Sequence, residues 1–152
     1  MHFIDDSKDE FLLFRIRFDL DGVCADYNSY LELEDFFSQL DAHTKEDLNS
    51  WVVGIDLNLG IISGIEAIRS IRQNRDYDNL IVGICMGSDD PKDRSDALEA
   101  GAIFFMTKPM SGSVLDDICE EVPDLSMEKC SEPGVTIMRN FSAQEIAAQV
   151  AA

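Results

Sequence analysis

Residues 51–71 read Trp-Val-Val-Gly-Ile-Asp-Leu-Asn-Leu-Gly-Ile-Ile-Ser-Gly-Ile-Glu-Ala-Ile-Arg-Ser-Ile and place two different hydrophobic patterns on either side of one carboxylate. Trp51 to Ile55 is an unbroken apolar run of strand length, the pattern of a strand covered on both faces. Asp56 ends it. Further on, Ser63 and Glu66 have capping-box spacing, and Ile65, Ile68 and Ile71 recur on one helical face while Arg69 and Arg72 fall elsewhere. The segment therefore predicts a buried strand, an acidic strand end and an amphipathic helix, which is one unit of an alternating α/β fold.

Working outward, four more apolar runs have strand length: His2 to Ile4, Val23 to Ala25, Leu80 to Met86 and Ala102 to Met106. The stretches between them are long enough for helices, and such alternation predicts a parallel sheet with helices on both faces. Phe11, Phe14 and Phe18 share a helical face, with Gly22 as its stop. Asp90-Pro91 reads as an N-cap and first helical position, Gly101 as a left-handed terminator, and Ser111 and Ser113 open a last helix through Glu121 that Pro123 limits. Residues 1–122 then form one domain. Residues 123–152 read as a linker or C-terminal extension: 124–140 holds Pro133 and Gly134 without sustained periodicity and suggests a loosely packed strap. Ser142 and Glu145 form a second capping box, which predicts a short Ala-rich helix over 143–150.

The chain has 152 residues, 45% of them hydrophobic, enough for one core and too few for two ordinary domains. Its longest apolar stretches fall well short of the roughly 18 to 20 residues of a membrane-spanning helix. Met1 is followed by Asp5, Asp6 and Asp9 rather than by a basic and then apolar leader, so a cytoplasmic location is expected. Asp and Glu total 30 against 12 Lys and Arg, and the net charge of −18 opposes nucleic-acid backbones and anionic membrane surfaces. It suits divalent cations and basic partner surfaces. Cys24, Cys85, Cys119 and Cys130 lie too far apart for a zinc ribbon or a CxxC pair, and only His2 and His43 are present, so reduced thiols are expected.

In an open parallel sheet, ligands gather outside the carboxyl ends of the strands, so the residues that follow each apolar run belong together. Asp5 and Asp6 follow the first run, Asp56 the third, and Lys108 and Pro109 the fifth. Crowded carboxylates repel one another, and a hard divalent cation, Mg2+ or Mn2+, relieves that repulsion through oxygen ligands. A nearby ammonium neutralises a transferring phosphoryl group. The pocket suits phosphoryl transfer with Asp56, central among these groups, as the nucleophile.

Ile4-Asp5-Asp6-Ser7, Asp56 to Gly64, and Gly101-Ala102-Ile103-Phe104-Phe105-Met106-Thr107-Lys108-Pro109 together resemble the receiver domain of two-component response regulators, CheY-like in type. The resemblance implies a doubly wound, flavodoxin-like five-stranded parallel sheet in order 2-1-3-4-5 with five helices. It implies that Asp56 accepts a phosphoryl group from a histidine kinase or histidine phosphotransfer protein, and that Lys108 contacts that group. It further implies that Asp6, Asp56 and the main-chain carbonyl of Asn58 bind magnesium, with Asp5 acting through the cation's water. Output through the fourth helix, fifth strand and fifth helix, and a homodimer, also belong to it, while the effector stays unnamed.

Two positions depart from the family pattern. Met86 stands where a Thr or Ser hydroxyl ends the fourth strand, and a thioether cannot donate a hydrogen bond. Phe105, at the aromatic switch position, lacks a hydroxyl. Gly87 keeps the small residue that lets phosphate approach. Gly60 replaces a common proline, and a few extra residues fall near Asp41 to Asn49. One alternative is a degenerate receiver that docks without phosphorylation. Another starts from Phe18-Asp19-Leu20-Asp21-Gly22-Val23, which looks like the nucleophile motif of haloacid-dehalogenase-type phosphatases, with Asp19 as nucleophile on an alternating strand over 14–20 and a faint echo of that family's late metal segment at 87–93.

Overall fold

The structure, a computed structural model, describes residues 1–23, 26–49, 51–87, 90–108, 112–122, 125–129 and 135–139. β1 (His2–Ile4), β2 (Asn28–Tyr30), β3 (Val52–Asp56), β4 (Ile81–Met86) and β5 (Phe104–Thr107) form one parallel sheet in the order β2-β1-β3-β4-β5. The alternation of runs predicts a parallel sheet, and the strand order is the doubly wound, flavodoxin-like one that the resemblance implies, with crossovers that bring the ends of β1, β3 and β5 to one edge.

Successive strand side chains point to opposite faces, so each buried strand supplies two cores. Phe3, Cys85, Phe104 and Met106 pack with Phe14 and Phe18 of α1 (Lys8–Leu20) and with Leu115 and Ile118 of α6 (Gly112–Glu121). Ile4, Val53, Ile55, Ile84 and Met86 pack on the other face beneath α2 (Leu33–Ala42), α3 (Lys45–Leu48), α4 (Gly64–Arg72) and α5 (Pro91–Ala100). The caps form where the sequence places them. Ser63 Oγ accepts from Glu66 N–H at 3.2 Å, Asp90 Oδ1 accepts from Lys92 N–H at 2.9 Å ahead of Pro91, and Gly101 closes α5 at φ +111°.

Within residues 1–122, three expectations are corrected. The second strand is not at Val23 to Ala25. Val23 instead closes α1, its N–H donating to Phe18 O at 2.9 Å just after Gly22 at φ +75°, while Cys24 and Ala25 lie outside the described residues. The strand forms at Asn28–Tyr30, an edge with β1 alone beside it, and its exposed Asn28 and Ser29 give it no apolar signal. Residues 14–20 are helical, so Asp19 is an exposed residue on α1 and the phosphatase reading loses the strand it requires. Six α-helices rather than five are described. The additional α3 is capped by Thr44, whose Oγ1 accepts from Asp47 N–H while Asp47 accepts from Thr44 N–H, and it sits where the extra residues near 41–49 fall.

In place of a strap over 124–140, β6 (Leu125–Lys129) and β7 (Val135–Arg139) pair antiparallel, with Met127 opposite Ile137. In the sequence, Leu125 and Met127, then Val135 and Ile137, recur at every second position around Pro133-Gly134, which is hairpin patterning too short to register as sustained periodicity. The helix expected over 143–150 lies outside the described residues.

Arg72 at the end of α4 ties the approach to β4 to the end of α5. Its guanidinium donates to the carbonyls of Tyr77 (2.7 Å), Asp78 (3.2 Å), Leu80 (2.9 Å) and, through two nitrogens, Gly101. Arg72→Ala leaves these carbonyls short of donors and is expected to cost about 2–4 kcal/mol in urea unfolding, given the strength of charge-assisted bonds. Arg72→Lys recovers less than half of that loss, because a point ammonium cannot span the same fork.

Candidate functional site

The carboxyl ends of β1, β3 and β5 bring Asp5, Asp6, Asp56 and Lys108 together. One oxygen from each of the three carboxylates lies within 4.8 Å of the others. Lys108 Nζ donates to Asp5 Oδ2 at 3.0 Å and stands 3.1 Å from Asp56 Oδ1. The Asp5 and Asp56 side chains are each 12% exposed and that of Lys108 18%, so these charges interact with little intervening water. Asp6 is exposed at the rim.

Local structure sets each group. Asp5 Oδ1 accepts from Ser7 N–H at 2.9 Å, and Ser7 Oγ in turn accepts from Glu10 N–H, so the turn that aims Asp5 inward is also the start of α1. Asp56 is the last residue of β3. The next residue, Leu57, donates its N–H to Cys85 O at 3.0 Å and accepts from Gly64 N–H at 2.7 Å. Lys108 is fixed by its own N–H, which donates to Met86 O at 2.7 Å. A loop bridge between Asn58 and Ser63 uses Leu57 O, Leu59 N–H, Gly64 N–H and Ile62 O, which leaves the Asn58 carbonyl outside it. Gly87 borders open space: a Cβ built there meets nothing within 4 Å.

Electrostatics follow from the packing. Burial pushes the Asp56 carboxyl above its ordinary value; the Lys108 hydrogen bond opposes this, and the charges of Asp5 and Asp6 add to it. For Lys108, burial favours the neutral amine, but its bonds to Asp5 and Asp56 outweigh that and raise its pKa above the ordinary lysine value. The ammonium stays charged, and Asp56 remains a comparatively basic carboxylate.

Met86 and Phe105 lie on the other sheet face. Met86 is 1% exposed and belongs to the core under α4 and α5, and Phe105, opposite Ile84 in the pairing, is half-buried against the same core. The Arg94 guanidinium carbon sits 4.6 Å from the Phe105 ring centroid, a cation–π contact from α5 that sequence spacing did not disclose. Ser7 and Gly64 were also missed as positioning residues. The Asp5-x-Ser7 spacing is a turn signal, whereas the need for Gly64 appears only in three dimensions, since a Cβ there would lie 2.3 Å from the Asp56 carbonyl oxygen. Pro109, Ser88 and Asp89 lie outside the described residues.

A family model described as the response regulator receiver domain matches residues 3–120. No curated protein sequence matches the chain. Among solved structures, the chemotaxis response regulator CheY4 of Vibrio cholerae is similar over 80% of this chain and 96% of its own, with TM-score 0.64 and 14% identity. A two-component response regulator from Cytophaga hutchinsonii is similar over 79% and 92%, with TM-score 0.66 and 21% identity. A response regulator from Thermotoga maritima is similar over 80% and 95%, with TM-score 0.59 and 21% identity. At these identities the structural likeness shows the fold.

A carboxyl with a raised pKa binds its proton more readily folded than unfolded, so its ionisation lowers stability as pH rises through that raised value. Asp56→Asn is therefore expected to raise the urea midpoint at pH 7, and the gain to shrink as pH falls toward the ordinary carboxylate range. An equal midpoint for both proteins at pH 7 contradicts this account of the site.

Proposed function

The chain belongs to the response regulator receiver domain family, and from that membership we propose that it is a signalling phospho-acceptor in which Asp56 takes a phosphoryl group from a histidine kinase or histidine phosphotransfer protein. The observation that carries this reading is Lys108 Nζ between Asp5 and Asp56 at the edge of the sheet. In the transfer, an Asp56 carboxylate oxygen forms the new O–P bond as the donor's P–N bond breaks, and the electron pair of that bond returns to the imidazole nitrogen. Lys108 then exchanges part of its contact with Asp56 for a phosphoryl oxygen, and Gly87 leaves room for the incoming group. Hydrolysis of the aspartyl phosphate returns the carboxylate and inorganic phosphate, so the chain assists its own cycle and turns over no metabolite.

The donor set suits a magnesium or manganese ion. Lys108 engages Asp5 Oδ2 and Asp56 Oδ1, and Ser7 N–H engages Asp5 Oδ1. In this reading the second oxygen of Asp56, the Asp6 carboxylate and the Asn58 carbonyl would hold the ion directly, and Asp5 would act through its water. Such an ion, when bound, neutralises charge on the transferring phosphoryl group. The acidic surface and the lack, among the described residues, of a helix long and apolar enough to cross a membrane accord with a cytoplasmic protein that binds a protein donor rather than nucleic acid or lipid. Met86 favours one second reading, a receiver that docks without switching, because its buried thioether cannot form the hydroxyl contact that would draw β4 toward a phosphoryl oxygen.

Acetyl phosphate or phosphoramidate with Mg2+ is expected to add one phosphoryl group to the wild-type chain by intact-mass measurement. Labelling should be absent in Asp56→Asn, reduced at least ~10-fold in Lys108→Ala, and lost with a chelator. Equal labelling of the wild type and Asp56→Asn ends the assignment.

A further inference from the structure

After α6 the chain carries an element that the site described above does not use. β6 and β7 form a two-stranded sheet of their own, which meets α6, the helix it follows in the chain. The register pairs Leu125 with Arg139, Met127 with Ile137 and Lys129 with Val135, so these six positions share one face of the ribbon. Four are apolar, with a cation at two opposite corners. Two strands of five residues are marginal in water by themselves and become stable when a helix packs on their apolar face.

The sequence that follows has the matching pattern. Ser142 and Glu145 are spaced as a capping box, Phe141 and Ile146 as a hydrophobic staple, and Ala143, Ile146, Ala147 and Val150 recur at i, i+3, i+4 and i+7. A helix this short, ~12 Å, is also marginal alone. We propose that residues 143–150 form a helix that lies across the face shared by Leu125, Met127, Val135 and Ile137, completing a ββα unit. Each part supplies the apolar surface that the other lacks. The connection fits as well: residues 140–142 reach up to roughly 10 Å, the separation of two packed layers, and the helix is a little shorter than the ribbon's roughly 17 Å. Charge favours this occupant over a second ribbon. Two copies face to face bring four cations and no anion into one layer, whereas residues 140–152 carry no cation and one carboxylate, Glu145. Tethering adds a local concentration that an outside chain does not match. The packing is independent of the phospho-acceptor reading, since no residue of that site takes part.

Methyl and amide NMR on the full, unphosphorylated chain tests it. Nuclear Overhauser contacts are expected between the methyls of Ile146 or Val150 and those of Met127 or Ile137, unchanged over about 100-fold dilution. Ile146→Glu should speed hydrogen exchange of the β6 and β7 amides at least ~10-fold. Ala148→Glu, opposite the apolar stripe at 100° per residue, should change it by less than about twofold, and the β3 and β4 amides should stay as in the wild type in both variants. Ile137→Ser should in turn speed exchange over 146–150 by a similar factor. Ribbon amides already unprotected in the wild type, indifferent to Ile146→Glu, or equally sensitive to Ala148→Glu overturn the proposal. So do contacts that fade on dilution while sedimentation shows a dimer, since the face then belongs to a second copy.

Discussion

The ammonium of Lys108, held between Asp5 and Asp56, is the contact on which the site depends. Asp5 and Lys108 are 103 residues apart in the chain, and only the order β2-β1-β3-β4-β5 sets the ends of β1 and β5 on either side of β3. Burying two carboxylates beside a third is unfavourable unless a charge of opposite sign offsets it. Removing the lysine leaves that repulsion uncompensated; removing Asp56 relieves part of it. The sheet edge is thus an electrostatically loaded place, stable because the two apolar cores beneath it hold the strand ends in position.

Those cores also put the strand-end carboxylates and the residues Met86 and Phe105 on opposite faces of the sheet. Asp56 is buried toward the α1 and α6 side with Gly54 and Cys85 as neighbours in its surroundings, whereas Met86 and Phe105 belong to the α4 and α5 side. Lys108 N–H bonded to Met86 O is the backbone link between the two. On the α4 and α5 side, the Arg94 guanidinium of α5 lies over the Phe105 ring, 4.6 Å from its centroid.

The sequence disclosed what buried periodicity and caps encode. β3 and β4 are buried throughout, so their apolar runs are unmistakable, and the Asp90-Pro91 and Gly101 signals delimit α5 because each answers a defined backbone need. The acidic cluster was legible for a topological reason: strand ends in a parallel sheet share one edge. β2 was not legible, since an exposed edge strand of Asn28, Ser29 and Tyr30 has no hydrophobic pattern to read. The hairpin of β6 and β7 was missed because two short alternating runs give little periodicity. Arg72 and Arg94 were missed for another reason. One serves carbonyls spread from Tyr77 to Gly101, and the other meets an aromatic ring from a different element, so no local spacing records either.

The central claim, that Asp5, Asp6 and Asp56 beside Lys108 form one divalent-cation site within a chain of net charge −18, is tested most directly by Mn2+ titration followed by amide NMR. Paramagnetic broadening falls off steeply with distance, so a specific ion and a diffuse atmosphere give different maps. The expected result is loss of signals first at residues 5–7, 56–59 and 107–108, complete near one equivalent and reversed by excess Mg2+. Broadening spread evenly over the acidic helices, with residues 5, 6, 56 and 108 no more affected than the rest, would contradict it.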